Sequence, residues 1–216
     1  MKRELLAVIV PMKSLRLAKQ RLRPAVADDE RLHLARAMLV HVLTAVNASG
    51  VADLTVVVSP DPEVLDLARM QGFGALCERQ PGYNEAVTQA ARWTQERGAA
   101  SVLVLPADLP RLEPGDERAI VILAGEGSRA VVIAPDSGET GTNALLLRPP
   151  FLLPFGFGPT SFARHCALAR AAGVEPAVYR SPSLAHDIDL PEDLRHLGQA
   201  FAIDTQSYFS RQPGSL

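Results

Sequence analysis

The chain has 216 residues, and its 22 Lys plus Arg against 24 Asp plus Glu leave a net charge of −2. That length suits one domain burying about 70% of its unfolded surface. The near-neutral balance excludes the broad positive field of a nucleic-acid binder, and no run approaches the roughly 18 apolar residues of a membrane span. Two cysteines, Cys77 and Cys166, without CxxC spacing, argue against a disulfide framework or structural zinc and fit a cytoplasmic setting.

In chain order, residues 5–10 form a Val- and Leu-rich run that predicts a strand buried on both faces. Lys2 and Arg3 precede it, but no small-residue cleavage site follows, so it is not read as a signal peptide. Residues 30–46 carry one apolar stripe, Leu32, Ala35, Met38, Leu39, Val42, Leu43 and Val46, and predict a helix. Strands follow at 54–58, 102–105 and 130–134, with helices at 61–70, 84–97, 114–124, 161–172 and 191–201. Strand-like segments at 144–147 and 177–179, separated by the turn-rich stretch 148–160, predict a mixed or antiparallel edge. The alternation of strand and helix predicts a Rossmann-like α/β fold, a mostly parallel sheet with helices on both faces. No repeat or linker divides the chain, so residues 1–203 are expected to form one domain and residues 204–216 a polar tail.

Ligands of such sheets collect beyond the carboxyl ends of the strands, which directs attention to four loops. The first, after the opening strand, holds Lys13, Arg16, Lys19, Arg21 and Arg23 with no acid among them. It attracts a polyphosphate unless it is only a solvated basic face, and without GxxxxGK[ST] it must hold phosphate by side chains. In the second, Asp108 stands between Pro106 and Pro110; a single fixed carboxylate suits Mg2+, and a turn or helix cap is the plainer reading. The third, 138–143 with 156–161, is rich in glycine, and Ser161 stands where a helix should begin, so that the helix's positive end and free N–H groups suit an anion. In the fourth, Asp187 and Asp189 flank Ile188 and point to one side if the chain is extended, although helix capping also explains them. The histidines show no metal-ligand spacing, and neither GxSxG nor HExxH occurs.

Taken together, VPMKSLRLAKQRL, PGYNEAV, VLPADLP, TGTNALLL, FGPTSFARH and DIDLPEDL resemble the phosphoenolpyruvate or 2-phospho-L-lactate guanylyltransferases of deazaflavin coenzyme F-420 biosynthesis. The resemblance runs from about Val8 to Leu194. It implies a nucleotidyltransferase-like fold and an enzyme that transfers GMP from GTP to a small phosphorylated carboxylic acid, releasing pyrophosphate. The acid is phosphoenolpyruvate, 2-phospho-L-lactate or 3-phosphoglycerate. By motif, Asp108 and Asp187 match the family's Mg2+ ligands, with Asp189 a weaker candidate, and Lys13 matches its phosphate-contacting lysine. Thr142, Gly158 and Ser161 match residues that hold the phosphorylated acid, and Lys19, Arg21 and Asn84 are assigned to the nucleotide. Tyr83 stands where leucine is usual, and Ser137, Gly138 and Glu139 stand where a basic residue commonly follows the Asp. The implied partners are GTP, the acid and a downstream transferase that consumes the unstable product; the oligomeric state is not implied. Two alternatives remain: another nucleotidyltransferase, such as a molybdenum-cofactor guanylyltransferase, whose glycine-rich first loop is missing here, and a non-catalytic nucleotide-binding protein of the same fold.

Overall fold

The computed structural model describes residues 4–197. Seven strands form one sheet: β1 (Leu5–Pro11), β2 (Leu54–Ser59), β3 (Gly74–Cys77), β4 (Ala99–Val104), β5 (Ala130–Pro135), β6 (Thr142–Arg148) and β7 (Ala177–Val178), in the order β3-β2-β1-β4-β6-β5-β7. Among the described residues the five α-helices are α1 (Asp28–Ser49), α2 (Pro62–Met70), α3 (Tyr83–Gln95), α4 (Pro114–Ala124) and α5 (Ser161–Ala171).

Period-two alternation in the strands divides the core between two faces. Val8 and Val10 of β1 join Leu103, Leu146, Leu39 and Val42 of α1, Val64 of α2 and Ile120 of α4. Ala7 and Ile9 point the other way, with Val56, Val104, Ile133 and Leu145, against Val87 and Ala90 of α3 and Ala169 of α5. Helices therefore cover both faces, as strands without a polar side require.

Three expectations change. The four-residue edge strand β3 had no apolar run to announce it; Gly74 opens it because a Cβ there would stand 3.1 Å from the Thr55 carbonyl oxygen and 3.3 Å from the Trp93 ring. The antiparallel strand lies inside the sheet: β6 pairs antiparallel with both β4 and β5, while the edge strand β7 runs parallel to β5. A short β5–β6 connection forces hairpin pairing, and Asp136 closes it by accepting from the Thr140 and Gly141 N–H groups, both at 2.8 Å. The helix expected at 191–201 is a 3-10 turn over Pro191–His196; its remainder and the expected 203/204 boundary and tail lie outside the described residues.

The chain winds from β1 through β2 to β3 on one side and returns to β4 beside β1. The order reverses between β1 and β4, so the loops after these strands open a crevice at their carboxyl ends. Because β6 is antiparallel, its beginning lies at that same end; continuing the Val104–Leu145 register brings Thr142 level with Ala107.

Candidate active site

The loop after β1 is packed, although its charges suggest a loose strap. Leu15 and Leu22 are buried, and the Asp61 carboxylate, which also caps α2, accepts from the Ser14 hydroxyl and the Leu15 N–H at 2.9 Å each. Burial would raise the Asp61 pKa, but these hydrogen bonds outweigh it and hold it below the usual aspartate value. From α1, the buried Arg31 donates to the Arg16 and Ala18 carbonyls and reaches Asp28 at 3.1 Å. These ties set Lys19, in left-handed backbone at φ 56°, with its side chain only 6% exposed.

Asp108, Asp187 and Asp189 converge. Each offers a carboxylate oxygen, and these lie within 4.8 Å of one another, the one such acidic group among the described residues. Asp187 and Asp189 both join this group, while Ile188 between them is fully buried in a cluster with Leu22, Leu34 and Met38. The Lys19 ammonium donates to Asp108 and, at 3.1 Å, to Asp189; Arg21 approaches Asp189 at 3.8 Å from a largely exposed position. Burial alone would pull the Lys19 ammonium down, yet Asp108 and then Asp189 outweigh it and hold its pKa above the usual lysine value. Burial, reinforced by the charges of Asp108 and Asp189, pushes Asp187 up to about 6. A set of hard carboxylate oxygens whose mutual repulsion one lysine only partly offsets fits Mg2+ by donor chemistry.

Asp108, Asp189 and Lys19 open on a cleft of about 490 Å³ that Lys13, Arg21 and Tyr83 also help to line. Lys13 is exposed and, among the described residues, makes no ion pair. Burial, with the Asp108 charge adding to it, holds the Tyr83 phenol well above the usual tyrosine value. The Tyr83 ring meets Phe157 edge-on at 5.1 Å, and Phe157 in turn meets His165 at 5.1 Å, so aromatic contacts join the cleft to the glycine loop.

Asn84, assigned from sequence to the nucleotide, places both amide atoms on one backbone: its Nδ2 donates to the Phe157 carbonyl at 3.1 Å and its Oδ1 accepts the Phe157 N–H at 2.8 Å. Thr142 is nearly buried, with its hydroxyl 3.0 Å from His165 Nδ1. Gly158 has φ 125°, a conformation suited to glycine, and Ser161 is buried at the start of α5. The free N–H groups expected at that helix start are mostly engaged: Ser161 donates to Gly158, Phe162 to Thr140 and Arg164 to Thr160. Glu139 is paired with Arg180 at 2.7 Å, so its charge is compensated locally.

Sequence reasoning ranked Lys13 above its neighbours and did not foresee that Lys19 would be the buried cation. Leu15, Leu22 and Val26 interleaved with the charges were the available signal of a packed loop. Asp189, rated below Asp187, stands within the same acidic group, and neither Tyr83 as a cleft wall nor His165 was anticipated.

A family model described as "Guanylyl transferase CofC like" matches residues 6–207. The phosphoenolpyruvate guanylyltransferase of Rubrobacter xylanophilus is 46% identical over 189 residues, covering 88% of this chain and 91% of the relative. The 3-phospho-D-glycerate guanylyltransferase of Colwellia psychrerythraea is 34% identical, covering 88% and 90%. Among solved structures, a 4-diphosphocytidyl-2C-methyl-D-erythritol synthase superposes with a TM-score of 0.64 at 18% identity, covering 93% of this chain and all of that one. That likeness is one of nucleotidyltransferase fold.

Proposed function

The chain belongs to the CofC-like guanylyl transferase family, and from that premise we propose that it transfers GMP from GTP to a small phosphorylated carboxylic acid of the phosphoenolpyruvate, 2-phospho-L-lactate or 3-phosphoglycerate type. Pyrophosphate is the second product. The observation that carries the reading is the convergence of Asp108, Asp187 and Asp189 beside a cleft that Asp108, Asp189 and Lys13 line. The reaction belongs to coenzyme F-420 biosynthesis in this reading, with a downstream transferase taking up the unstable product.

Two polyanions must meet, and the chain supplies the charge that lets them. Asp108 and Asp187, with Asp189 beside them, would hold Mg2+, which supplies charge neutralisation on the phosphates. Lys13 lines the cleft with no ion pair among the described residues and takes the triphosphate, while Arg21 at the rim attracts it. Lys19 lies against the acids and shifts its hydrogen bonds to phosphate oxygens as the nucleotide enters. Thr142, Gly158 and Ser161 hold the acid's anionic groups, and Asn84 supports them by fixing Phe157. An oxygen of the acid's phosphate attacks the α-phosphorus in line, and pyrophosphate leaves. A phosphate monoester is largely ionised at neutral pH, so the chemistry needs no protein base and no protein nucleophile. Phosphoenolpyruvate is the favoured acceptor on the identity of the Rubrobacter relative.

Pyrophosphate release is the test. It is expected to require GTP, Mg2+ and one of the three acids together, to stop on chelation of the metal, and to be weak with ATP. Equal release from GTP alone, or equal turnover with ATP, contradicts the proposal.

A further inference from the structure

His165 lies on α5 one turn beyond Ser161, fully buried, and no role in the reaction above uses it. Its two ring nitrogens have different partners. The Gly156 N–H donates to Nε2 at 3.1 Å, and Nδ1 lies 3.0 Å from the Thr142 hydroxyl oxygen. A nitrogen that accepts a hydrogen bond carries no proton, so Nε2 is bare and the proton of the neutral ring sits on Nδ1. Nδ1–H therefore donates to Thr142 Oγ1. An imidazolium would oppose its Nε2–H to the Gly156 N–H, and burial, with Arg164 contributing, pulls the His165 pKa down to about 4.

The hydroxyl of Thr142 thus accepts from His165, and its own proton is directed elsewhere. The same ring holds the loop that carries Gly158. That loop is further fixed by Arg164, which donates to the Gly156 carbonyl at 2.9 Å and the Pro159 carbonyl at 3.2 Å, and by Asn84 on Phe157. We propose that His165 is the positioning residue of the proposed acid site of Thr142, Gly158 and Ser161: its single Nδ1–H tautomer aims the Thr142 hydroxyl proton at the acid's anionic group and holds the 156–158 loop in place. That this site takes the acid rests on the function proposed above; the hydrogen-bond polarity does not.

Two substitutions separate the ring's two contacts. The amide of His165→Asn replaces the Nδ1–H donor toward Thr142, whereas that of His165→Gln replaces the Nε2 acceptor toward Gly156 and leaves Thr142 without its donor. His165→Gln is expected to raise the KM for the acid about tenfold, the cost of one misplaced buried hydrogen bond, and His165→Asn only about threefold. The KM for GTP should be unchanged in both. Adding His165→Gln to Thr142→Val should cost no more than Thr142→Val alone, because the pair acts as a unit. A KM for GTP that rises in step with that for the acid, or a multiplicative double variant, would overturn the proposal. So would an Nε2-protonated or charged ring in 15N NMR of the wild-type protein at pH 7, a measurement needing neither variant nor turnover. A wild-type protein inert toward all three acids would instead overturn the guanylyl-transfer reading, with the ring tautomer still deciding this one.

Discussion

Lys13 and Arg23 carry the same charge in the same loop and occupy different environments. Lys13 lines the cleft with no ion pair among the described residues, whereas Arg23 is 56% exposed and lies 3.4 Å from Asp28. Lys13→Ala should lower kcat on the order of 100-fold, because a cation beside reacting phosphates stabilises transition-state charge. Arg23→Ala should change it little, its charge being screened by salt. Steady-state kinetics of the two variants at several salt concentrations separates an organised phosphate site from a basic face; equal, salt-suppressed losses would favour the face. Far from the cleft, Glu117 of α4 is fully buried, and among the described residues its carboxylate oxygens make no well-formed hydrogen bond, Ser49 being the polar group nearby that partly offsets its burial. Burial pushes its pKa from 4.5 up to about 7. Between these values the unfolded chain gives up this proton more readily than the folded one, so stability falls as pH rises through the window and levels off above it. The difference amounts to roughly 3 kcal/mol. Glu117→Gln, which cannot ionise, should flatten that part of the stability profile in urea titrations from pH 4.5 to 8; an unchanged slope would show that Glu117 is not its source. Among the described residues, the three non-glycine ones with positive φ, Lys19, Glu139 and Thr160, all fall in the loops read as candidate binding loops, where backbone strain tends to concentrate.

The segment carrying Asp187 and Asp189 has no regular structure of its own and is held by its surroundings. Asn143 donates to the Leu184 carbonyl and the Ser137 N–H donates to the Ala185 carbonyl, both at 2.8 Å. Ile188 and Leu194 pack against Leu34 and Met38 of α1 and against Leu22 of the first loop. Ile188→Ala should therefore destabilise the protein by about 2–5 kcal/mol, the usual range for emptying a buried aliphatic site. It should also weaken Mn2+ binding, measured calorimetrically with Mn2+ as a Mg2+ probe, because the aspartates on either side lose their anchor. Loss of stability with unchanged metal affinity would uncouple the two. The side-by-side aspartates were legible in the sequence from alternation alone. The anchoring was not, since it depends on residues remote in sequence, from Asn143, 41 positions before Leu184, to Leu22, Leu34 and Met38 at the other end of the chain. Residues 114–124 were legible for a local reason, with Pro114 opening the helix and Gly125 ending it. By contrast, β3 is recognisable only beside β2, which supplies its pairing partner.

Over the whole molecule, the net charge of −2 conceals a sharp local separation, with cations on the loop after β1 facing acids contributed after β4 and near the carboxyl end of the described chain. Alternation of strand and helix was enough to expect a mostly parallel sheet with helices on both faces. It did not reveal that β6 enters antiparallel between β4 and β5, since strand order depends on pairings that a single sequence does not display. That insertion brings Thr142 to the end of the sheet where Asp108 emerges, which would let the proposed donor and acceptor sites adjoin. In the proposed function one crevice would receive both anions, with transfer in a single displacement and no protein-bound intermediate. Mass spectrometry of reactions quenched within the first turnover, with GTP, Mg2+ and phosphoenolpyruvate present, tests that claim directly. The account predicts GMP joined to the acid's phosphate in amounts equal to the pyrophosphate released, with the protein mass unchanged; GMP attached to the protein, or pyrophosphate without the joined product, would contradict it.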